Sequence, residues 1–290
     1  MAGTATRKVT AFLFLLLLSS ADLRAQLNVY FVNVGQGDAV YIELPGGRNA
    51  LIDGGPSGKP IYDFLKAKGV TSIDHVVLTH PHMDHFRGLR KVFTALNVKN
   101  FYDTRAENKE AAGDNELRKL AAAEPGCITR FPRAGEDLAW DPQVAVKVVS
   151  SCSSPVTTRN NVETNNCSLV LRLFYNGNGL LFMGDAESAV EDALLKNFKP
   201  ELAASILKVA HHGSRYTSTA AFLKRVQPKY AFISVGRDNV YGHPHKEALD
   251  RLLAAGAKLF LTTDGTQRVT IPAPAAGERS PGAPLINRGK

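Results

Sequence analysis

Between Thr79 and His85 the chain reads Thr-His-Pro-His-Met-Asp-His, directly after the apolar run His75–Leu78. Three imidazoles and a carboxylate crowded at a strand end are rarely a packing solution, because buried polar groups must find partners. Neutral imidazole and carboxylate together suit Zn, Mn or Fe. A loop at a strand end can aim alternating side chains into one cleft, with His80 and His82 on one side and Asp84 and His85 toward a second ion. The bland alternative, a His-rich surface loop, loses weight because the pattern recurs. Gly184-Asp185 closes the apolar strand Leu180–Met183, His211-His212-Gly213-Ser214 follows Ile206–Ala210, and His243-Pro244 follows a fourth strand, Tyr230–Val235. A Gly-Asp turn alone is usually only a turn, and a single His is usually a core residue. Acids and imidazoles at four strand ends point to one cleft.

The rest of the chain must bury those strands. Strands are expected at Leu27–Val34, Ala39–Leu44, Asn49–Ile52, His75–Leu78 and Val98–Tyr102, then at Val144–Val149, Ser168–Tyr175, Gly179–Met183, Ile206–Ala210, Tyr230–Val235, Lys258–Leu261 and Arg268–Ile271. Helices are expected at Ile61–Lys68, Phe86–Leu96, Glu107–Ala123, Glu187–Asn197, Ser218–Val226 and Lys246–Ala254. Ser150–Asn165 is polar and aperiodic and reads as a loop. Strands in two batches, each with its own helices, imply two packed sheets with helices outside. At 44% hydrophobic and 21% charged, the composition excludes disorder, collagen and coiled coil.

Residues 1–25 stand apart. Arg7-Lys8, the apolar run Ala11–Leu18 and the small residues Ser19, Ser20 and Ala21 form the pattern of a secretory signal peptide, with cleavage after Ala25 or Ala21. The run is too short for a permanent span; an uncleaved anchor is the alternative. Residues 26–272 then form one domain, and the Pro-, Gly- and Ala-rich stretch 273–290 reads as a flexible tail. The leader holds three of the 35 basic residues and one of the 27 acidic ones, so the remainder carries a net charge of +6. Export permits a disulfide, but the sequence does not select a pair among Cys127, Cys152 and Cys167.

His80-x-His82-x-Asp84-His85, with Asp53-Gly54, Gly184-Asp185 and His211-His212-Gly213-Ser214, resembles the metallo-β-lactamase superfamily. More narrowly, Asn33-Val34-Gly35-Gln36-Gly37-Asp38-Ala39, Asn166-x-Ser168-Leu169-Val170 and Tyr241-Gly242-His243-Pro244 resemble the hydrolase domain of the DNA-uptake channel protein ComEC. The resemblance spans Leu27–Ile271 and implies an α/β fold, the four-layered αββα sandwich, with a metal cleft at one edge. It implies two divalent ions, Zn or Mn. His80 and His82 would hold the first, Asp84 and His85 the second, Asp185 would bridge, and His212 would complete the second site. His211 is the alternative ligand, and otherwise lies near the leaving group. Asp53 would orient a ligand. Asp38, Asn166, Ser168 and Ser214 fall in the motifs and would support the site or bind substrate. Many members carry a His before the Ser-Leu strand, where this chain has Asn165-Asn166-Cys167; ComEC-like members also carry Asn there.

Two such ions would hold a bridging hydroxide for in-line attack on phosphorus, with Asp84, His211 and His243 in catalytic roles. The reading that follows is a secreted metal-dependent phosphodiesterase or nuclease. Its partner would be an anionic phosphodiester, with DNA as a candidate, and no permanent membrane span would remain. Arg215, Lys224, Arg225 and Arg237 could meet a phosphate backbone or form a solvated face. The same metal core serves hydrolases of β-lactams, lactones and phosphorylcholine esters, which is the second reading. A non-catalytic DNA- or cell-wall-binding module is the third, disfavoured by the intact ligand set.

Overall fold

The computed structural model describes residues 26–109, 113–152, 154–274 and 284–288; the leader expected at 1–25 and most of the tail expected at 273–290 lie outside them. Leu27–Phe31 (β1), Val40–Glu43 (β2) and Asn49–Ile52 (β3) form an antiparallel meander, with Val40 opposite both Phe31 and Ile52. His75–Val77 (β4), Asn100–Tyr102 (β5) and Ile128–Arg130 (β6) continue the sheet in parallel from β3. The second sheet repeats the scheme. Ala145–Ser150 (β7), Val170–Tyr175 (β8) and Asn178–Phe182 (β9) are antiparallel, and Ile206–Lys208 (β10), Tyr230–Ile233 (β11) and Lys258–Leu261 (β12) add on in parallel. The chain then returns to the first sheet, where Gln267–Ile271 (β13) pairs with β1.

Alternation along β1 shows why both faces of a sheet are buried. Leu27, Val29 and Phe31 face the other sheet, and Tyr30 faces the outer helices. Between the sheets Phe31 stacks on Phe232, with ring centroids 4.1 Å apart and planes 5° apart. Outside the first sheet lie Gly58–Ala67 (α1), Met83–Ala95 (α2) and Asp114–Ala123 (α3), which bury Ile61, Leu65, Phe86, Leu89 and Leu117. The short helix Asn161–Asn166 (α4) precedes β8. Ser188–Asn197 (α5), Ala220–Val226 (α6) and Lys246–Ala254 (α7) cover the second sheet through Leu194, Phe222 and Leu252. Helix, sheet, sheet and helix make the four layers of the αββα sandwich.

Three segments depart from the sequence expectation. The helix expected from Glu107 begins only at Asp114, because Ala106–Asn108 pairs in parallel with Val156–Thr158. That second strand and α4 occupy the stretch expected to be a loop, Ser150–Asn165, which a Cys152–Cys167 disulfide ties down. Leu285–Arg288 (β14) is an edge strand on β13, not a frayed tail, and Ile286 packs against the inter-sheet core. An unpaired edge of β13 offers the hydrogen bonds that a Pro- and Gly-rich composition does not foretell. Among the described residues no helix is long and apolar enough to cross a membrane.

Candidate metal centre

The parallel strands of both sheets end at the same rim. Asp53 follows β3, the Thr79–His85 loop follows β4, Gly184-Asp185 follows β9, His211-His212 follows β10 and His243 follows β11. Ligand sites of α/β sheets lie beyond the carboxyl ends of strands, because the segments leaving them are free of the ladder. Two features draw the segments together. A side chain at Gly184, which has φ +53°, would meet Ser168 Oγ at 2.9 Å. Gly37 lets the Gly35-Gln36-Gly37 turn lie against α2, where a Cβ would stand 2.2 Å from the Asp84 carbonyl oxygen. The next residue, Asp38, donates its N–H to that same oxygen at 3.2 Å.

Four imidazole nitrogens converge on one carboxylate oxygen. Asp185 Oδ2 is 3.4 Å from His85 Nε2, 3.5 Å from His212 Nε2, 3.8 Å from His80 Nε2 and 3.9 Å from His211 Nε2. Four sets of side chains place their ligand atoms within 4.8 Å of one another: His80, His82 and Asp185; Asp84, His85 and His212; Asp38, Asp53 and His85; and Asp38, Asp185 and His212. The first two take in the histidines and acids of the Thr79–His85 loop and could each hold an ion. Asp84 Oδ2 lies 3.2 Å from His212 Nε2 and 3.9 Å from His85 Nε2. The residues fit a cation on their own chemistry. Nε2 of His82 and of His85 and Oδ1 of Asp185 are buried without a hydrogen-bond partner, a cost that a coordinated ion removes.

Electrostatics divides the cluster. Burial pushes His80 well below the usual imidazole range, with His85 and His82 adding repulsion, and burial lowers His82 too. Burial also opposes charge on His85 and His212, but Asp185 and Asp53 hold His85 well above that range, and Asp185 and Asp38 do so for His212. Against burial, His212 and His85 keep Asp185 far below the usual carboxylate range, and His85 and His212 do the same for Asp84. The shifts on His85 and His212 thus oppose those on the buried carboxylates, a balance of charge that a divalent ion would supply in place of protons.

The expected supporting residues sort by contact. Asp53 accepts from the Thr79 N–H at 2.8 Å and the Thr79 hydroxyl at 2.6 Å, and meets His85 Nδ1 at 2.8 Å. Ser168 Oγ accepts from the Asp185 N–H at 3.0 Å and lies 3.4 Å from His80 Nδ1. Asp38 Oδ1 is 3.3 Å from His212 Nδ1, which also faces the Ser234 carbonyl at 2.8 Å. Asn166 Oδ1 accepts from the Glu187 N–H at 3.1 Å. Its neighbour Asn165 reaches the imidazoles directly, with Nδ2 3.4 Å from His211 Nδ1; successive helical residues point about 100° apart, so the two make different contacts. Ser214 belongs to the turn after His212, where its Oγ accepts from the Tyr216 N–H at 3.4 Å. His243 stands 5.3 Å from the His211 ring, outside all four candidate ion sets, and burial with the neighbouring His211 lowers it to about 4.

Sequence reasoning missed Glu187, which lies 3.3 Å from His211 Nδ1, and Lys208, whose Nζ is 2.6 Å from Asp38 Oδ2. Lys208 had a signal: a lysine inside the otherwise apolar run ahead of His211, where it is 2% exposed. Burying a lysine requires a paired acid. Arg215 forms an ion pair with Glu247 at 3.2 Å, and Arg225 and Arg237 bind the carbonyls of Lys199 and Thr263, so these three are tied locally and not turned to a common cleft.

The sandwich, with its acids and imidazoles at the rim, defines a metallo-hydrolase class, and residues 32–237 match the model of the metallo-β-lactamase superfamily, to which the chain belongs. Within it, the chain is 29% identical over 259 residues to ComE operon protein 3 of Bacillus subtilis (strain 168), a match covering 83% of this chain and 32% of that protein. It is 30% identical over 233 residues to competence protein ComA of Neisseria gonorrhoeae, covering 79% and 30%. The chain therefore spans about a third of the length of these relatives. The diiron β-hydroxylase CmlA of Streptomyces venezuelae shares the fold, with a TM-score of 0.53 at 12% identity over 85% of this chain and 54% of that one.

Proposed function

We propose that this superfamily hydrolase is an exported, metal-dependent phosphodiesterase acting on nucleic-acid backbones. The observation that carries the metal dependence is the convergence of four Nε2 atoms on Asp185 Oδ2 beside buried atoms that lack partners. In this reading His80 and His82 would hold one Zn or Mn ion, Asp84, His85 and His212 would hold the other, and Asp185 would serve both. The ions would supply Lewis acidity at a phosphoryl oxygen and a lowered pKa for water. Asp53 holds the His85 ring from behind, and Asp38 with the Ser234 carbonyl holds His212, so each ring presents Nε2. His211, tethered by Glu187 and Asn165, and His243 line the substrate side; a ring lowered to about 4 is neutral at pH 7, so His243 serves as a hydrogen-bonding group there.

A phosphodiester is favoured over a lactam or lactone by the likeness to ComEC-type sequences, by relatives named for competence, and by a net charge of +6 after the leader. The deciding assay sets metal-reconstituted protein against single-stranded DNA, a bis-aryl phosphodiester and a β-lactam side by side. Metal-dependent cleavage of the first two is expected. Efficient lactam opening with both phosphodiesters intact would transfer the chain to the other class of hydrolase. Export is checked by N-terminal sequencing of protein from periplasm or medium, expected to begin at Asp22 or Gln26; recovery only from cytosol with Met1 or Ala2 in place would refute it.

A further inference from the structure

A cavity of about 730 Å³ opens between the start of α1 and the outer faces of α2 and α3. Its long wall is a single stripe of α2. Arg87, Arg90, Lys91 and Thr94 recur at the spacing that places side chains on one helical face, and all four are exposed. Arg87 lies one turn beyond Met83-Asp84, where α2 leaves the centre. Lys59 on α1 lines the opposite side. Among the described residues Arg87 and Arg90 have no ion pair or hydrogen bond, and Lys91 rests 4.9 Å over the Tyr62 ring. The acid in the lining, Glu116, is engaged by Lys119 at 2.9 Å and also feels the charge of Arg90, and Lys59 is paired with Asp63. Exposed guanidinium groups one to two turns beyond the start of α2 are not needed by the fold, since among the described residues their removal uncovers no buried partner.

We infer that this stripe is a backbone track, which takes the phosphates of a single-stranded nucleic acid next to the scissile linkage. Arg87 and Lys91 are about 6 Å apart along the helix, at 1.5 Å per residue, so successive cations meet successive phosphates. The inference rests on the phosphodiesterase reading for its substrate, and it goes further by assigning the cations that bind the backbone outside the centre. Arginine suits the task because its fork binds phosphate bidentately without fixing base identity.

The test is the variant Arg87→Ala/Arg90→Ala/Lys91→Ala in the metal-loaded protein. Anisotropy with a labelled 20-nucleotide phosphorothioate oligothymidine reads binding, and turnover is followed on unmodified oligothymidine and on a bis-aryl phosphodiester. Oligonucleotide affinity should fall at least about tenfold, the slope of log affinity against log salt should shrink by about 2, and bis-aryl turnover should be unchanged. Wild-type binding should strengthen from 5 to 20 nucleotides. Unchanged affinity in the variant, an equal loss on the bis-aryl ester, or wild-type protein that does not bind the oligonucleotide overturns the track. Binding that depends on the stripe in a protein that cleaves no phosphodiester keeps the track and removes the hydrolytic reading. Heparin that competes no better at low salt than free phosphate supports a track shaped for the nucleic-acid backbone; heparin that displaces the oligonucleotide equally from wild type and variant overturns it.

Discussion

Each sheet opens as an antiparallel meander, β1–β3 in one and β7–β9 in the other, and continues with three parallel strands. At the junction the two diverge. After β3 the left-handed residue is Asp53 itself, with φ 59°, and its carboxylate turns back onto Thr79 and His85 Nδ1. After β9 the left-handed residue is Gly184, with φ 53°, and Asp185 follows it, so its carboxylate enters the cluster. One strand later the first sheet delivers Asp84 and His85 on the opening turn of α2, whereas the second delivers His211 and His212 on left-handed backbone, with φ 46° and 52°. Non-glycine residues there cost about 1–3 kcal/mol each and persist where surrounding structure enforces them. Like scaffolds thus give one acid the task of holding a ring and place the other among the imidazoles. The position of the left-handed residue relative to the acid decides which.

The comparison breaks most directly through the two acids. Asp185→Asn should lower kcat/KM about a thousandfold and reduce bound metal, while Asp53→Asn, which leaves the ligands in place, should cost about 10–100-fold. Equal losses, with metal analysis showing equal depletion, would erase the distinction. A sharper version sets His212→Ala against His243→Ala. The first should remove one equivalent of metal; the second should slow turnover with metal content intact, and a site emptied by His243→Ala would make that residue a ligand.

Smaller effects concern stability. Chelation should abolish hydrolysis yet leave the near-ultraviolet circular dichroism intact, since the core between the sheets does not depend on the rim; the loss is the mass-action term, about 3–4 kcal/mol at 100–1,000 times Kd. Only the second half is stapled. Reducing Cys152–Cys167, which closes a loop of 15 residues, should destabilise by about 3 kcal/mol, and the free Cys127 in the first half should make no difference when alkylated. Global unfolding on chelation, or no change of melting temperature on reduction, would contradict these expectations.

The smallest effect is a pH dependence in the first half. His75, stacked on Trp140 at 5.2 Å and 3.2 Å from the Tyr102 hydroxyl, is lowered by burial to about 4. The unfolded chain therefore binds the extra proton between the ordinary imidazole range and pH 4. Stability from this residue is complete above about pH 6.5 and falls as pH drops toward 4. His75→Gln should flatten that part of the urea midpoint against pH; an unchanged slope would assign the acid sensitivity to the rim.

Most of the architecture was legible because burial writes itself into periodicity. The strand and helix order and the gathering of His80, His82, Asp84, His85, Asp185 and His212 follow from apolar runs ended by ligand-type residues. Where partners are distant in sequence, the local signal failed. Val156–Thr158 is a strand only because Ala106–Asn108 lies beside it, and Leu285–Arg288 only because β13 has a free edge. Asn165 and Asn166 are indistinguishable as letters, and the turn of α4 alone selects which reaches His211.

By itself, the sequence determined the ligand types, their place at strand ends and the two-sheet class, since these depend on side-chain chemistry and on hydrophobic patterns a few residues long. Tertiary structure decided the rest: which acid faces the imidazoles and which stands behind one, the pairing of Cys152 with Cys167, the burial of Lys208 against Asp38, and the alignment of Arg87, Arg90 and Lys91 along one cavity wall. Those outcomes depend on backbone conformation at single residues and on contacts between segments far apart in the chain, and neither is encoded in a local pattern.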